Sequence, residues 1–273
     1  RLLNGPLKGI VAAQARKQVA RRARPEHYPA PYAILDMWAN YGGNALAVPT
    51  EKSTSFDALI ASPTTRSLLR VFFLQERLKS FGKEVQQFSP RHVHVVGAGV
   101  MGGDIAAWCA LSGFTVTLQD QSVERIAPAI NRAALLFEKK IRDKSAAHFA
   151  LDRLIPDPHG DGVRQADVII EAIFENLEAK QHLFADLERR AKPQALLASN
   201  TSSLRLADIA RGLQQPDRLA GIHFFNPVAQ MPLVEVVASD ATSVVTAQQA
   251  AAFVRQIDKL PLPVKDAPGF LVN

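Results

Sequence analysis

The apolar positions of this chain change period near residue 91. The run His92-Val93-His94-Val95-Val96 is rich in β-branched residues and stops at Gly97, and after Gly102 the residues Ile105, Ala106, Cys109 and Ala110 recur at helical spacing. The pattern predicts a buried strand, a glycine turn and a helix. Strands and helices then alternate: a strand over Thr115 to Leu118, a helix from after Asp120 to about Arg142, a short edge strand Leu154-Ile155-Pro156 and a core strand from Asp167 to Ile173. A helix from about Leu177 to Ala191 follows, with strands at Ala195 to Ala198, Leu219 to Ile222, Leu233 to Ala238 and Leu262 to Lys265. Such alternation predicts an α/β fold with a doubly wound, mostly parallel sheet that binds ligands at the carboxyl ends of its strands.

Before residue 91 the pattern is helical. Leu7 to Ala23 is a candidate helix whose Ile10, Val11 and Val19 dock while its cations face water. Pro25, Pro29 and Pro31 around His27-Tyr28 read as a rigid connector, and Gly42-Gly43 breaks the chain again. Phe56, Leu59 and Ile60, then Leu68, Leu69, Phe72, Phe73 and Leu78, have helical spacing and call for a packing partner. Residues 1–88 are therefore read as a helical linker and 89–273 as the ligand-binding domain.

Charge changes this picture little. The net charge is +6, but seven basic residues precede the first acid, Glu26, and the rest of the chain holds 25 basic against 26 acidic residues. The excess is local to the first helix, as a solvated face or a surface for an acidic partner, and it argues against nucleic-acid binding by the domain. An Arg-rich opening also resembles an organelle transit peptide, although a chain opening on Arg1 reads as a cut inside a longer polypeptide. One cysteine, Cys109, on the core side of its helix, points to a reducing compartment such as the cytoplasm. No apolar stretch approaches the ~20 residues of a membrane span. His27 has no second ligand at metal-site spacing, and no metal is expected.

The candidate chemistry sits at the strand ends. Gly97 permits a tight turn, Gly99 a close approach of backbone to phosphate, and Gly102 close packing of helix on strand, the requirements of a dinucleotide pyrophosphate site. Asp120 ends the next strand, placed to accept ribose hydroxyls or to cap the following helix together with Ser122. A carboxylate there, flanked by Gln119 and Gln121 with Arg125 the nearest cation, favours NAD over NADP. His223 ends one strand and Glu235 lies on the next after a turn at Asn226-Pro227, a pairing suited to proton abstraction from an alcohol during hydride transfer. Ser202 and Asn226 are candidates for hydrogen bonds to the reacting oxygen or the nicotinamide.

Five stretches carry a resemblance: Gly97-Ala98-Gly99-Val100-Met101-Gly102, Glu171-Ala172-Ile173-Phe174-Glu175-Asn176, Ser199 to Ser203, His223 to Pro227, and Pro268 to Asn273. In this order they are similar to the NAD-binding, Rossmann-type domain of L-3-hydroxyacyl-CoA dehydrogenases, from about residue 91 onward. His27 to Pro31 and the helices after it resemble the linker between hydratase and dehydrogenase parts in the multifunctional α subunit of the bacterial fatty-acid oxidation complex.

The resemblance implies oxidation of (S)-3-hydroxyacyl-CoA by NAD in β-oxidation, with His223 as base and Glu235 as its orienting partner. It assigns Ser202, Asn226 and Asn273 to substrate or nicotinamide, and Met101, Asp120, Glu175 and Lys180, with the stretch Ala172, Ile173 and Phe174, to the cofactor; Glu171 stays structural. It further implies an acyl-CoA substrate and, for a full-length protein, a hydratase domain and a thiolase β subunit as partners. Without a hydratase domain this chain is expected not to hydrate enoyl-CoA. Without the helical domain that follows Asn273 in the family, it is expected to bind NADH and turn over slowly or not at all. Lys139, Lys140 and Lys144 are candidates for CoA phosphates or a charged helix face. The competing readings are a non-catalytic NAD-binding scaffold, as in a lens crystallin, and a dehydrogenase of a free 3-hydroxy acid.

Overall fold

The computed structural model describes residues 5, 7–85 and 88–272. The chain divides into two compact units, Arg1–Glu76 and Arg77–Asn273.

The first unit holds α1 (Lys8–Ala20), α2 (Pro29–Tyr41), α3 (Phe56–Ala61) and most of α4 (Pro63–Ser80). Pro29 and Pro31 do not form the expected connector. They lie in the first turn of α2, where a proline forfeits no helical hydrogen bond, and α2 ends at Gly42 in the left-handed region. Ser55 caps α3 by accepting from the Ala58 amide at 3.2 Å. Two packing expectations hold only in part. In α1 the buried residue is Ala12, Val11 and Val19 are half-buried, and Ile10 is 68% exposed. In α4 no described residue is buried, and Leu68, Leu69, Phe72 and Phe73 are all exposed, because the helix is apolar on more than one side and no described element covers those sides.

The second unit is one eight-stranded sheet in the order β3-β2-β1-β4-β5-β6-β7-β8. Its strands are β1 (His92–Val96), β2 (Thr115–Gln119), β3 (Leu154–Pro156), β4 (Val168–Glu171), β5 (Leu196–Ser199), β6 (Leu219–Phe224), β7 (Leu233–Ala238) and β8 (Leu260–Lys265). Every neighbouring pair is parallel except β6 and β7, so the doubly wound, mostly parallel expectation holds. Helices α5 (Val100–Leu111), α6 (Val123–Lys140), α7 (Lys144–Asp152), α8 (Leu177–Arg190), α9 (Leu206–Ile209) and α10 (Val244–Gln256) connect them. Two apolar clusters form the core: one packs β1, β2 and β4 with α5, α6 and α10, and the other packs β4 and β5 with α8 and α9. Cys109 is buried in the first, and burial pushes its thiol up to about 12, partly offset by the Lys259 charge. The helices α7, α9 and α10 have no counterpart among the predicted elements.

Candidate active site

The glycine turn is built by exclusion. Gly97 has φ of 105°, and a Cβ there would stand 2.6 Å from the Ala172 carbonyl oxygen. A Cβ on Gly102 would stand 1.8 Å from the Gly97 carbonyl oxygen. At Gly99 the same construction meets nothing within 4 Å, so the turn is closed toward the sheet and open toward the cleft. Gly99 is also the N-cap of α5 and brings no side chain to its first amides, which leaves the positive end of the helix for an anion.

Asp120 faces the same cleft. Its Oδ2 accepts from the Ala98 amide and its Oδ1 from the Gln121 amide, both at 2.7 Å. The N-cap of α6 is Ser122, so Asp120 ties the glycine turn to the end of β2 and is not the cap of that helix. Beside it, Gly97, Gln119, Arg125, Pro158 and Phe174 line a cavity of about 320 Å³. A second cavity of about 520 Å³ runs from Gly99 and Met101 to Ser202, His223 and Asn226. Ala172, Ile173 and Phe174 line both, which gives one wall to an elongated ligand laid across the strand ends.

The imidazole and the carboxylate converge. The antiparallel register of β6 and β7 sets His223 directly opposite Glu235, and Nδ1 lies 2.7 Å from Oε2. A carboxylate only accepts, so Nδ1 carries the hydrogen, and Nε2 of the neutral ring keeps its lone pair. The other oxygen, Oε1, accepts from the Leu271 and Val272 amides at 3.0 and 3.1 Å. Glu235 is fully buried, and the His223 ring packs against Phe225 and Phe270.

Glu175 anchors the loop after β5. Its carboxylate accepts from the Thr201 hydroxyl at 3.0 Å and from the Ser202 amide at 2.7 Å. Burial pushes its pKa up, but the Ser202 amide, the Lys180 charge and the Thr201 hydroxyl outweigh burial and hold it below the usual carboxylate range. Lys180 is elsewhere. It is 1% exposed, lines neither cavity, and places Nζ 2.5 Å from Glu171 and 3.4 Å from Glu175. Glu171 is fully buried and also accepts from the Ser199 hydroxyl and the Ile173 amide, so the pair is a buried ion pair below the cleft wall. Asn273 lies outside the described residues. Lys140 stands over the Trp108 ring at 5.6 Å, and Lys144 opens α7.

Sequence reading passed over Asn200, which lines the cleft and accepts from the Phe224 amide at 2.9 Å. Its signal was present, an Asn at a strand end beside Ser202. It passed over Pro158 as well and took Gln119 only as an uncharged neighbour of Asp120; nothing in their spacing marks them as cavity-lining residues.

A model of the NAD-binding domain of 3-hydroxyacyl-CoA dehydrogenase matches residues 92–267. The chain is similar to the fatty acid oxidation complex subunit alpha of Shewanella amazonensis, at 34% identity over 286 residues that cover all of this chain and 40% of that protein. The crystal structure of 3-hydroxybutyryl-CoA dehydrogenase from Escherichia coli K12 is similar at 37% identity and a TM-score of 0.65, covering 67% of this chain and 40% of that one. For (S)-3-hydroxybutyryl-CoA dehydrogenase from Ralstonia eutropha the figures are 34% and 0.65, covering 68% of this chain and 67% of that one. The chain thus spans well under half the length of the first two.

Proposed function

This chain belongs to the 3-hydroxyacyl-CoA dehydrogenase family through its NAD-binding domain, and from that premise we propose that it holds the nucleotide and the base for oxidising (S)-3-hydroxyacyl-CoA to 3-oxoacyl-CoA in fatty-acid oxidation. The observation that carries this reading is the 2.7 Å contact between His223 and Glu235 at the end of a cleft that starts at the glycine turn. The residues fit NAD: an open anion site at the head of α5, a carboxylate at the end of β2, and a continuous wall between them. Bound NAD supplies the hydride acceptor for the substrate C–H bond.

The remaining work falls to side chains. Nε2 of His223 takes the hydroxyl proton, and Glu235 stabilises the resulting imidazolium through Nδ1. The Ser202 hydroxyl and the Asn226 amide, which line the same cavity as His223, donate to the reacting oxygen. Met101, Ala172, Ile173 and Phe174 keep the cofactor side apolar and exclude water. We assign residues 1–88 as the linker of a longer polypeptide with a hydratase domain, and a thiolase β subunit as its partner; the match of all of this chain to 40% of a complex subunit supports that assignment.

The test is oxidation of NADH by the purified chain with acetoacetyl-CoA or free acetoacetate, under single-turnover conditions with protein in excess. Oxidation with the thioester alone, slow and competed by CoA, is expected. Equal rates with the free acid would move the reading to a free 3-hydroxy acid, and NADH binding with no oxidation in a version that also carries the helical domain would favour a scaffold.

A further inference from the structure

Next to Asp120 the sheet holds a polar chain that the proposed reaction does not use. Thr117 Oγ1 lies 2.9 Å from Nε2 of His92 and 2.8 Å from Nδ1 of His94, and Nε2 of His94 lies 2.9 Å from Oε1 of Gln119. These contacts have one consistent direction. A carboxamide oxygen only accepts, so Nε2 of His94 carries the hydrogen, and Nδ1 of the neutral ring accepts the Thr117 hydroxyl hydrogen. Thr117 in turn accepts from Nε2–H of His92. His94 is fully buried, and that burial pushes its pKa down to about 4, which keeps the ring neutral.

The chain ends on Gln119 and fixes its amide. A Cβ on Gly160 would meet the Gln119 amide atoms at 2.6–2.8 Å, so the side chain lies flat against a glycine whose φ is 68°. Asp157 holds that turn by accepting from the Asp161 and Gly162 amides at 2.9 and 2.8 Å. With Oε1 taken by His94, the Nε2 amino group of Gln119 has no hydrogen-bond partner among the described residues. Gln119 lines the 320 Å³ cavity beside Asp120 and Arg125. An oriented, neutral pair of N–H donors suits the ring-nitrogen acceptors of a purine, and it adds no charge beside Asp120.

We propose that Gln119 is a specificity residue for the adenosine half of the cofactor, and that His94 is its positioning residue, holding the amide so that its N–H groups face the cleft. The inference rests on the reading of this cleft as the nucleotide site.

The test is titration of the wild-type chain and variants with ADP-ribose and, separately, nicotinamide mononucleotide, together with melting curves. Gln119→Met is expected to bind ADP-ribose about 3- to 10-fold more weakly, the loss of one net hydrogen bond, with the mononucleotide nearly unchanged and the melting temperature lowered, because Nε2–H of the buried His94 loses its acceptor. His94→Leu is expected to weaken ADP-ribose to the same extent; if it fails to fold, Thr117→Val, which frees the His94 ring, is expected to give a smaller loss in the same direction. Wild-type affinity for ADP-ribose in Gln119→Met would overturn the assignment of Gln119, and a His94→Leu or Thr117→Val protein that binds as wild type would overturn the positioning role. A wild-type chain that binds neither probe would overturn the nucleotide reading itself, an outcome separate from the other two.

Discussion

Glu235 uses its two carboxylate oxygens for different purposes, one on His223 and one on the amides of Leu271 and Val272. The amides fix the carboxylate in place, so the imidazole meets an oriented acceptor. Replacing Glu235 by Gln keeps an acceptor for Nδ1 but removes the charge that stabilises imidazolium. Turnover is expected to fall about 10²-fold or more while the Kd for NADH, read by fluorescence, stays within about twofold. Lys180 is the opposite kind of residue. Its partner Glu171 is fully buried, so Lys180→Met leaves a carboxylate without its counter-charge and is expected to cost about 3–5 kcal/mol in urea unfolding. A variant with native stability and lost NADH binding would instead place Lys180 on the cofactor.

Among the elements, the glycine turn makes the sharpest demand on sequence. Gly102→Ala drives a methyl group to within 1.8 Å of the Gly97 carbonyl oxygen, so either α5 or the turn must move. NADH binding is expected to be lost, and retention of wild-type affinity by calorimetry would show that the turn is not the phosphate site. Strands and turn were legible because β-branched runs, glycines and polar strand ends coincide between His92 and Phe224. The contact between His223 and Glu235 was legible only as residue types. It depends on β6 and β7 being antiparallel, which follows from a connection of eight residues between Phe224 and Leu233, too short for a crossover. The chain of hydrogen bonds through His94, Thr117 and Gln119 was hidden, since burial of a polar side chain depends on partners from another strand. The buried ion pair of Lys180 was not legible either: its partners Glu171 and Glu175 are nine and five residues away, across a strand-to-helix turn. The helix α4 shows the reverse failure, an apolar period that the described residues leave exposed.

For the whole molecule, pH dependence follows from His94. Its folded-state pKa of about 4 lies below the ordinary 6.5, so between those values the unfolded chain takes up more protons than the folded one. Stability from this group is therefore constant above about pH 6.5 and falls as the pH drops toward 4, by up to about 3 kcal/mol. Urea midpoints measured from pH 7.5 to 4 are expected to fall accordingly, and Gln119→Met, which lacks the oxygen that Nε2 of His94 donates to, is expected to keep the trend. The molecule holds an imidazole, a buried carboxylate and an anion site along one edge of one sheet. The most direct test of that arrangement is single-turnover oxidation of NADH by acetoacetyl-CoA, comparing the wild-type chain with His223→Gln. The expected result is unchanged NADH binding with the oxidation rate reduced about 10²- to 10⁴-fold; oxidation at the wild-type rate in His223→Gln would contradict the account.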